Sequence, residues 1–433
     1  MRLFRFPAPL SITSDRAAVT TSIVVIFLVV YLGMILGGLP FLQLDRTGVA
    51  LLGAIALISI DAVSLQDAAE SVHLPTLILF FSFMVVSAQL RLGGFYSWVT
   101  RTLAELPLAP QALLGALIFV VAALSAVFSN DIICLAVAPV LIQACAKRRL
   151  DPVPYLLALA FAANIGSAAT LIGNPQNMLI GQTLRLSFTG YFLDAALPVV
   201  LGLAATWAIL AWHTRGHWEF HSAPATEPAT RADNDEDTPL DRWQTTKGLI
   251  IAAVLLLVFV LTPWPREHAA LTAAGVLLMS RRFHSTKMLG LVDWELLVMF
   301  MGLFVVNHAL QQTDVIGKAV TDLAAIGFDL HQLGPLFVAT FILSNVVSNV
   351  PAVMLLLPVA THPMAGPVLA LVSTLAGNLL IVGSIANIIV VGSAARRGIR
   401  IDWRRHARVG VPVTLITLAI FATYLWLRLR IMG

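Results

Sequence analysis

Charged residues are scarce in this sequence: Asp, Glu, Lys and Arg make up 12% of 433 residues, against 58% apolar. A water-soluble domain carries about twice that share of charge, so a soluble globular composition is excluded. Cysteine is nearly absent. Cys134 and Cys145 both lie in one apolar arm, which excludes a disulfide framework and a paired-cysteine metal site. Catalytic signatures are missing too: there is no HExxH zinc pair, no Gly-x-Ser-x-Gly nucleophile turn and no phosphate-binding Gly loop with Lys. The chain is therefore expected not to be an enzyme. The alternating polar and apolar strands of an outer-membrane barrel are absent as well. The opening MRLFRFPAPLSITSDR lacks a small-residue cleavage site behind a short apolar core, so no removable signal peptide is expected.

What is present is a succession of apolar runs near or above 18 residues, with a mean hydropathy of +0.88. That length spans a hydrocarbon core of roughly 30 Å. The fold expected is an all-α polytopic membrane protein. A net charge of +4 and a pI near 9.3 do not imply nucleic acid, because the basic residues cluster at span ends, where they set topology.

One motif organises the chain. SAVFSNDIICLAVAPV (Ser125 to Val140) returns about 220 residues later as SNVVSNVPAVMLLLPV (Ser344 to Val359). Each copy has a Ser, a second Ser four residues on, an Asn directly after it, and Pro-Val nine residues beyond the Asn. The Ser-Asn pairs, Ser129-Asn130 and Ser348-Asn349, interrupt apolar arms. Polar groups at membrane depth are costly unless they are buried in protein or face a wet cavity, so matching interruptions in two halves point to a transport site.

Around this motif the sequence predicts spans at about 17–37, 47–65 and 74–91, and an interfacial helix at 95–106. A hairpin over 110–147, a broken span over 152–183 and a span at 190–212 complete a first repeat, residues 1–213. Residues 214–245, containing ADNDEDTPLDR, read as an acidic cytoplasmic linker. The second repeat, 246–433, has spans at about 247–263, 267–281 and 291–310, and an interfacial piece at 313–328. It continues with a hairpin over 333–362, a broken span over 366–395 and a last span at 407–429. FFSFMVVSAQL (Phe80 to Leu90) also aligns without a gap to FMGLFVVNHAL (Phe300 to Leu310), as an internal duplication requires. With about five transmembrane helices plus one re-entrant hairpin each, the repeats would be inverted. The positive-inside rule then favours the orientation that puts Lys147 to Arg149, Arg281, Arg282 and the Arg396 to Arg408 cluster in the cytoplasm. It leaves Arg2, Arg5 and Arg16 outside.

A hairpin tip in lipid leaves backbone N–H and C=O groups without intrahelical partners. Ser129 and Asn130 add donors and acceptors suited to a small oxygen-rich ion. Half-helix N-termini favour an anion and unwound carbonyls favour a cation such as Na⁺, so one site can hold both. The facing wall comes from the broken spans. Gly173-Asn174-Pro175 cannot continue a regular helix, and GSIAN (Gly383 to Asn387) repeats the pattern, with Asn177 and Asn387 four residues after each Gly. Asn164-Ile165-Gly166 and Gly377-Asn378 precede these breaks. A single such break reads as a kink; two, each following a hairpin, read as a site. Asp131, with Val350 at its counterpart, either takes part in proton or cation coupling or is permanently hydrogen-bonded. His308, alone in an apolar run, reads as a satisfied core histidine.

Paired Ser-Asn tips, each followed by NIG…TLIGNPQN or GN…GSIAN, resemble the Ion Transporter superfamily over residues 20 to 430. That group includes divalent-anion/sodium symporters, arsenite-efflux permeases, NhaD-type sodium/proton antiporters and citrate carriers. In the symporters the tips are Ser-Asn-Thr; here Asp131 and Val350 replace the Thr. Asn-Asp and Asn-Val-Pro are closer to the arsenite-efflux branch, whereas Gly-Asn-Pro-Gln-Asn is nearer the symporters and antiporters. The resemblance implies an elevator-like movement of a transport domain and a homodimer. It implies substrate contacts at Ser129, Asn130, Asp131, Asn174 and Pro175, with Ser348, Asn349, Val350 and Ser384 from the second repeat. Coupling-ion contacts would come from Ser125, Asn130, Asp131, Gly173 and Asn177, and from Ser344, Asn349, Gly383 and Asn387.

The expectation is thus a secondary active transporter of the cytoplasmic (inner) membrane. It would move a small inorganic or organic anion or oxyacid, coupled to H⁺ or Na⁺. Arsenite or antimonite efflux, sodium/proton antiport and an anion channel are the alternatives. No cofactor, transition metal or nucleic acid is expected; Na⁺ at the tips, membrane lipid and a second copy of the chain are the partners.

Overall fold

The computed structural model describes residues 12–39, 42–218 and 239–432. Most of the acidic linker and the first eleven residues, with Arg2 and Arg5, lie outside them. Among the described residues the chain is helical, apart from a two-residue antiparallel pairing of Gly38–Leu39 with Leu44–Asp45. Eight helices are long and apolar enough to cross a membrane. Multi-pass membrane architecture follows from their composition.

The chain divides into two compact units, and each takes residues from both halves of the sequence. One comprises residues 1–73 and 294–329. Its helices are Ile12–Leu36, Arg46–Ser59, Leu65–Ser71, Trp294–Gln311 and Val315–Ala325. The span expected at 47–65 ends at Ser59 because the backbone turns left-handed at Asp61 (φ 54°) and Ser64 caps a separate short helix. Gly302 lies where a Cβ would stand 2.7 Å from the Ala50 backbone, so the helices Arg46–Ser59 and Trp294–Gln311 meet closely, as small residues permit. Tyr31 donates to Asn307 Oδ1 at 2.8 Å inside this unit, giving two buried polar groups a partner. His308 is half-buried, with its ring nitrogen 2.9 Å from the Gln312 amide.

The other unit comprises residues 74–293 and 330–433 and holds both Ser-Asn motifs and both broken spans. Phe95–Glu105 is amphipathic, burying Phe95, Tyr96, Thr100 and Leu103. The first motif forms two 18-residue helices, Pro110–Val127 and Asn130–Lys147, that stop and restart at Phe128-Ser129. The second forms a 15-residue helix, Leu333–Val347, then Asn349–Leu356 and a 3₁₀ turn to Val359. At 1.5 Å per residue the 15-residue helix reaches about 22 Å, short of a full crossing. The broken spans are Pro152–Ser167 with Pro175–Thr183, and Ala365–Ala376 with Ile385–Ala395. Every residue from Pro152 to Ser167 and from Ala365 to Ala376 is buried. These helices therefore form the core of the unit, with a thick apolar jacket around their interrupted ends.

Candidate functional site: a buried carboxamide cluster

Each break is held open by its own asparagine. The Asn177 side-chain amide donates to the carbonyls of Ser167 (3.5 Å) and Thr170 (2.9 Å). Asn387 donates in the same way to Gly377 (2.8 Å) and Leu380 (3.0 Å). The donors are 210 residues apart, and so are both pairs of acceptors. The duplication thus extends to hydrogen bonds that replace the missing helical ladder. The helix restarts are capped equivalently: Asn174 accepts from the Asn177 N–H and Ser384 accepts from the Ala386 N–H.

The breaks also bond to each other. Ser384 Oγ donates to Asn164 Oδ1 (2.8 Å), and Asn174 Nδ2 donates to Thr374 Oγ1 (3.2 Å). Asn174 corresponds to Ser384 and Asn164 to Thr374 at the same interval of 210. The two bonds therefore exchange roles between the two breaks.

Asn164 is the centre of the cluster. It accepts from Asn130 Nδ2 (3.2 Å) as well as from Ser384, and donates to Asn378 Oδ1 (2.8 Å) and Asn387 Oδ1 (3.3 Å). Residues from one tip and both breaks thus meet on one carboxamide. The other tip reaches the same place: the Asn349 amide nitrogen lies 3.2 Å from where a Cβ on Gly377 would be. Gly173 carries the first tip. Its carbonyl accepts the Asn130 N–H (3.3 Å), and a Cβ there would stand 2.3 Å from the Ser167 carbonyl oxygen and 2.7 Å from that of Ser125. Only glycine fits that approach.

Several buried oxygens in the cluster have no hydrogen-bonding partner among the described residues: Asn130 Oδ1, Asn177 Oδ1, Asn349 Oδ1, Ser125 Oγ and Ser344 Oγ. Buried acceptors of this kind are costly to leave unmet. Of these residues, Asn130 meets Gly173 through its backbone N–H, and the Ser125 carbonyl lies beside the same glycine. Asp131 also buries an unpartnered carboxylate oxygen, Oδ1, one residue beyond the tip. Ser129 and Ser348 sit at the tips without a side-chain capping bond. Pro175 opens the second half of its broken span, and Val350 packs as a buried apolar residue in the first turn after Asn349.

The tips differ in backbone geometry. Ser129 has φ −57°, whereas Ser348 has φ 79° and ψ 161°, a region open essentially to glycine alone. Strain of this kind costs about 1–3 kcal/mol. Ser348→Gly is therefore expected to raise thermal stability by a comparable amount, while Ser129→Gly does not. Melting of both purified variants checks this, and a lower melting temperature for Ser348→Gly would refute the strain.

Sequence reasoning named Asn164 and Asn378 as neighbours of the breaks without assigning them to the site, and missed Ser167, Thr170, Gln176, Tyr191, Thr374 and His406. Thr374 was findable, being the residue 210 beyond Asn164. Tyr191 donates to the Ala168 carbonyl (2.7 Å) and accepts from Asn177 (3.1 Å), and Gln176 donates to Thr374 (3.2 Å). His406 is buried, with Nε2 3.1 Å from the Asn378 carbonyl. Because a carbonyl only accepts, that nitrogen carries the proton. Apart from the 210-residue interval that marks Thr374, no periodicity in the sequence marks these contacts.

The family profile described as citrate transporter (CitMHS) matches residues 25–376. The silicon efflux transporter LSI3 of Oryza sativa subsp. japonica is 30% identical over 451 residues, covering 88% of this chain and 92% of that protein. An uncharacterized transporter of Mycobacterium tuberculosis is 30% identical over 422 residues, covering 89% and 94%. Among solved structures, the Alcanivorax borkumensis YdaH transporter superposes with a TM-score of 0.56 at 13% identity, covering 95% of this chain and 98% of that one. Neisseria gonorrhoeae MtrF, one of a class of antimetabolite efflux pumps, gives 0.55 at 13% identity, with 94% of each chain covered. These two likenesses concern the fold. With its profile matched over most of its length, this chain is a membrane transporter and not an enzyme, and it belongs to the citrate transporter (CitMHS) family.

Proposed function

We propose that the chain is a secondary active transporter of the cytoplasmic membrane that carries a small oxyacid or anion, coupled to Na⁺ or H⁺. One observation carries this reading: both Ser-Asn tips and both broken spans converge on one buried cluster whose side-chain bonds come from amides and hydroxyls. Groups of this kind both donate and accept, which matches an acid rich in hydroxyls. Desolvating a neutral acid costs far less than desolvating a polyvalent carboxylate in a site without lysine or arginine. A silicon efflux relative supports the same class of solute, since silicon in neutral water is the uncharged acid Si(OH)₄. A carboxylate, as the family's description suggests, would need a cation beside it. The unmet oxygens of Ser125, Asn130 and Asn177 suit Na⁺ in that role.

In this reading the two repeats are inverted, and the unit holding both tips moves in an elevator-type alternating-access cycle. The remaining helices form a dimerising scaffold. Purified chain in liposomes under imposed Na⁺ or pH gradients tests it. Gradient-driven, saturable accumulation of silicic or arsenous acid is expected. Accumulation of citrate alone, only with a cation, would favour the carboxylate. Passive ion conductance with no coupling would replace a carrier with a channel, and Na⁺/H⁺ exchange without any acid would mean an antiporter.

In the same assay Asn130→Ala and Asn349→Ala are expected to abolish transport while the protein still inserts in the membrane. Wild-type flux in either would remove that residue from the site. Asp131→Asn separates the coupling ions. Loss of pH dependence with substrate binding retained identifies H⁺, whereas unchanged pH dependence assigns the coupling to Na⁺.

A further inference from the structure

We propose that a basic cavity at one end of the larger unit binds a phosphate-type oxyanion, distinct from the transport cluster. The cavity, of about 420 Å³, lies where the first turns of Pro152–Ser167 and Trp403–Met432 meet the last turn of Phe188–His213. Arg404, Arg405, Arg408, His213 and His217 line it, with Asp151 and Asp402 as the acids. Both acids are already engaged. Asp151 pairs with Arg405 at 2.8 Å and caps the Val153 N–H, and Asp402 accepts the Arg405 N–H at 2.7 Å. Arg404 and Arg408, one helical turn apart, have no acidic partner among the described residues.

Three observations select the ligand class. Guanidinium groups present paired donors that match the oxygens of a phosphate. The N-terminus of Trp403–Met432 opens into the cavity and its partial positive charge adds to the arginines, whereas at Pro152–Ser167 the prolines carry no N–H and Asp151 takes that of Val153. Trp212 and Trp403, each 68% exposed, are the chain neighbours of the lining residues His213 and Arg404 at the ends of long apolar helices, where interfacial tryptophans mark headgroup depth. A second cavity of about 440 Å³, lined by Arg101, Glu105, Lys147 and Arg148, lacks these features. It lies at helix C-termini, and the Arg148 guanidinium there already donates to the carbonyls of Ala104, Leu106 and Leu108.

A phosphate-type oxyanion could come from a lipid headgroup or from solution, and the test has an arm for each. The purified, delipidated full chain is titrated with phosphatidylglycerol and with phosphatidylcholine, reading retention by native mass spectrometry. A parallel titration with inorganic phosphate reads the melting temperature. Wild type is expected to retain phosphatidylglycerol over phosphatidylcholine. The pair Arg404→Gln and Arg408→Gln should weaken that retention at least fivefold, with the ligand-free melting temperature unchanged. Phosphate that stabilises the protein and displaces the lipid assigns a soluble anion; lipid retained against phosphate assigns the headgroup. Equal retention of both lipids with no effect of phosphate, or a double variant that binds as wild type does, would overturn the proposal. If the double variant fails to fold, Arg408→Lys, which keeps the charge and loses the paired donors, is expected to bind more weakly and serves instead.

Discussion

Replacing Asn164 with leucine is expected to abolish transport and to destabilise the larger unit by about 4 kcal/mol or more. The side chain takes part in four buried hydrogen bonds, with Asn130, Ser384, Asn378 and Asn387. Leucine has a similar volume and offers none of them. Each buried group left short of a partner costs about 1–3 kcal/mol, and all four are affected together. Thr374→Val is the matched comparison. Thr374, 210 residues beyond Asn164, accepts from Asn174 and Gln176 and otherwise donates to the Ala370 carbonyl of its own helix, so two bonds to other segments are lost where Asn164 loses four. Its penalty should be about half as large. Chemical denaturation of both variants reads the stabilities, and liposome flux reads the activity. An Asn164→Leu protein that carried substrate at the wild-type rate would show that the convergence of tip and breaks has no part in transport.

Substituting Gly173 with alanine is expected to inactivate the protein as thoroughly, through sterics. The new methyl would stand 2.3 Å from one carbonyl oxygen and 2.7 Å from another, so backbone must move. Overpacking of this kind costs about 1–3 kcal/mol, and here it falls on the segment that receives the Asn130 N–H. Gly383, its equivalent, has a nearest neighbour at 3.0 Å, so Gly383→Ala should be milder. Gly392, with nothing within 4 Å, is the neutral control, and alanine there should even favour the helix slightly. The predicted order of lost flux is Gly173, then Gly383, then Gly392. If Gly173→Ala and Gly392→Ala behaved alike, close approach at the first break would not matter.

Much of this architecture was legible in the chain. The apolar run lengths located the helices to within a few residues, because a bilayer of fixed thickness demands spans of fixed length. Departures came where local capping overrode hydropathy, as at Asp61 and Ser64. The tips and breaks were visible because polar residues, Gly and Pro stand out against a nearly uniform apolar background. The partners of the breaks were not. Asn164 lies inside a helix whose every residue is buried, so its surroundings in the sequence look like any packed helix. Tyr191 looks equally ordinary, and Thr374 is marked only by its interval of 210 residues from Asn164. Their importance comes from contacts across roughly 200 residues or from a neighbouring helix, and such contacts leave no periodic trace.

By itself the sequence determined that this chain lives in a membrane, and that a polar interruption and a helix-breaking stretch each occur twice in it. Those properties follow from composition and spacing, which the bilayer reads locally. Only the tertiary structure decided that one interruption and both breaks meet on Asn164, with the second interruption beside Gly377, and which oxygens there remain unmet. That outcome depends on how separate helices pack, and hydrogen bonds between distant segments exist only once packing has brought them together.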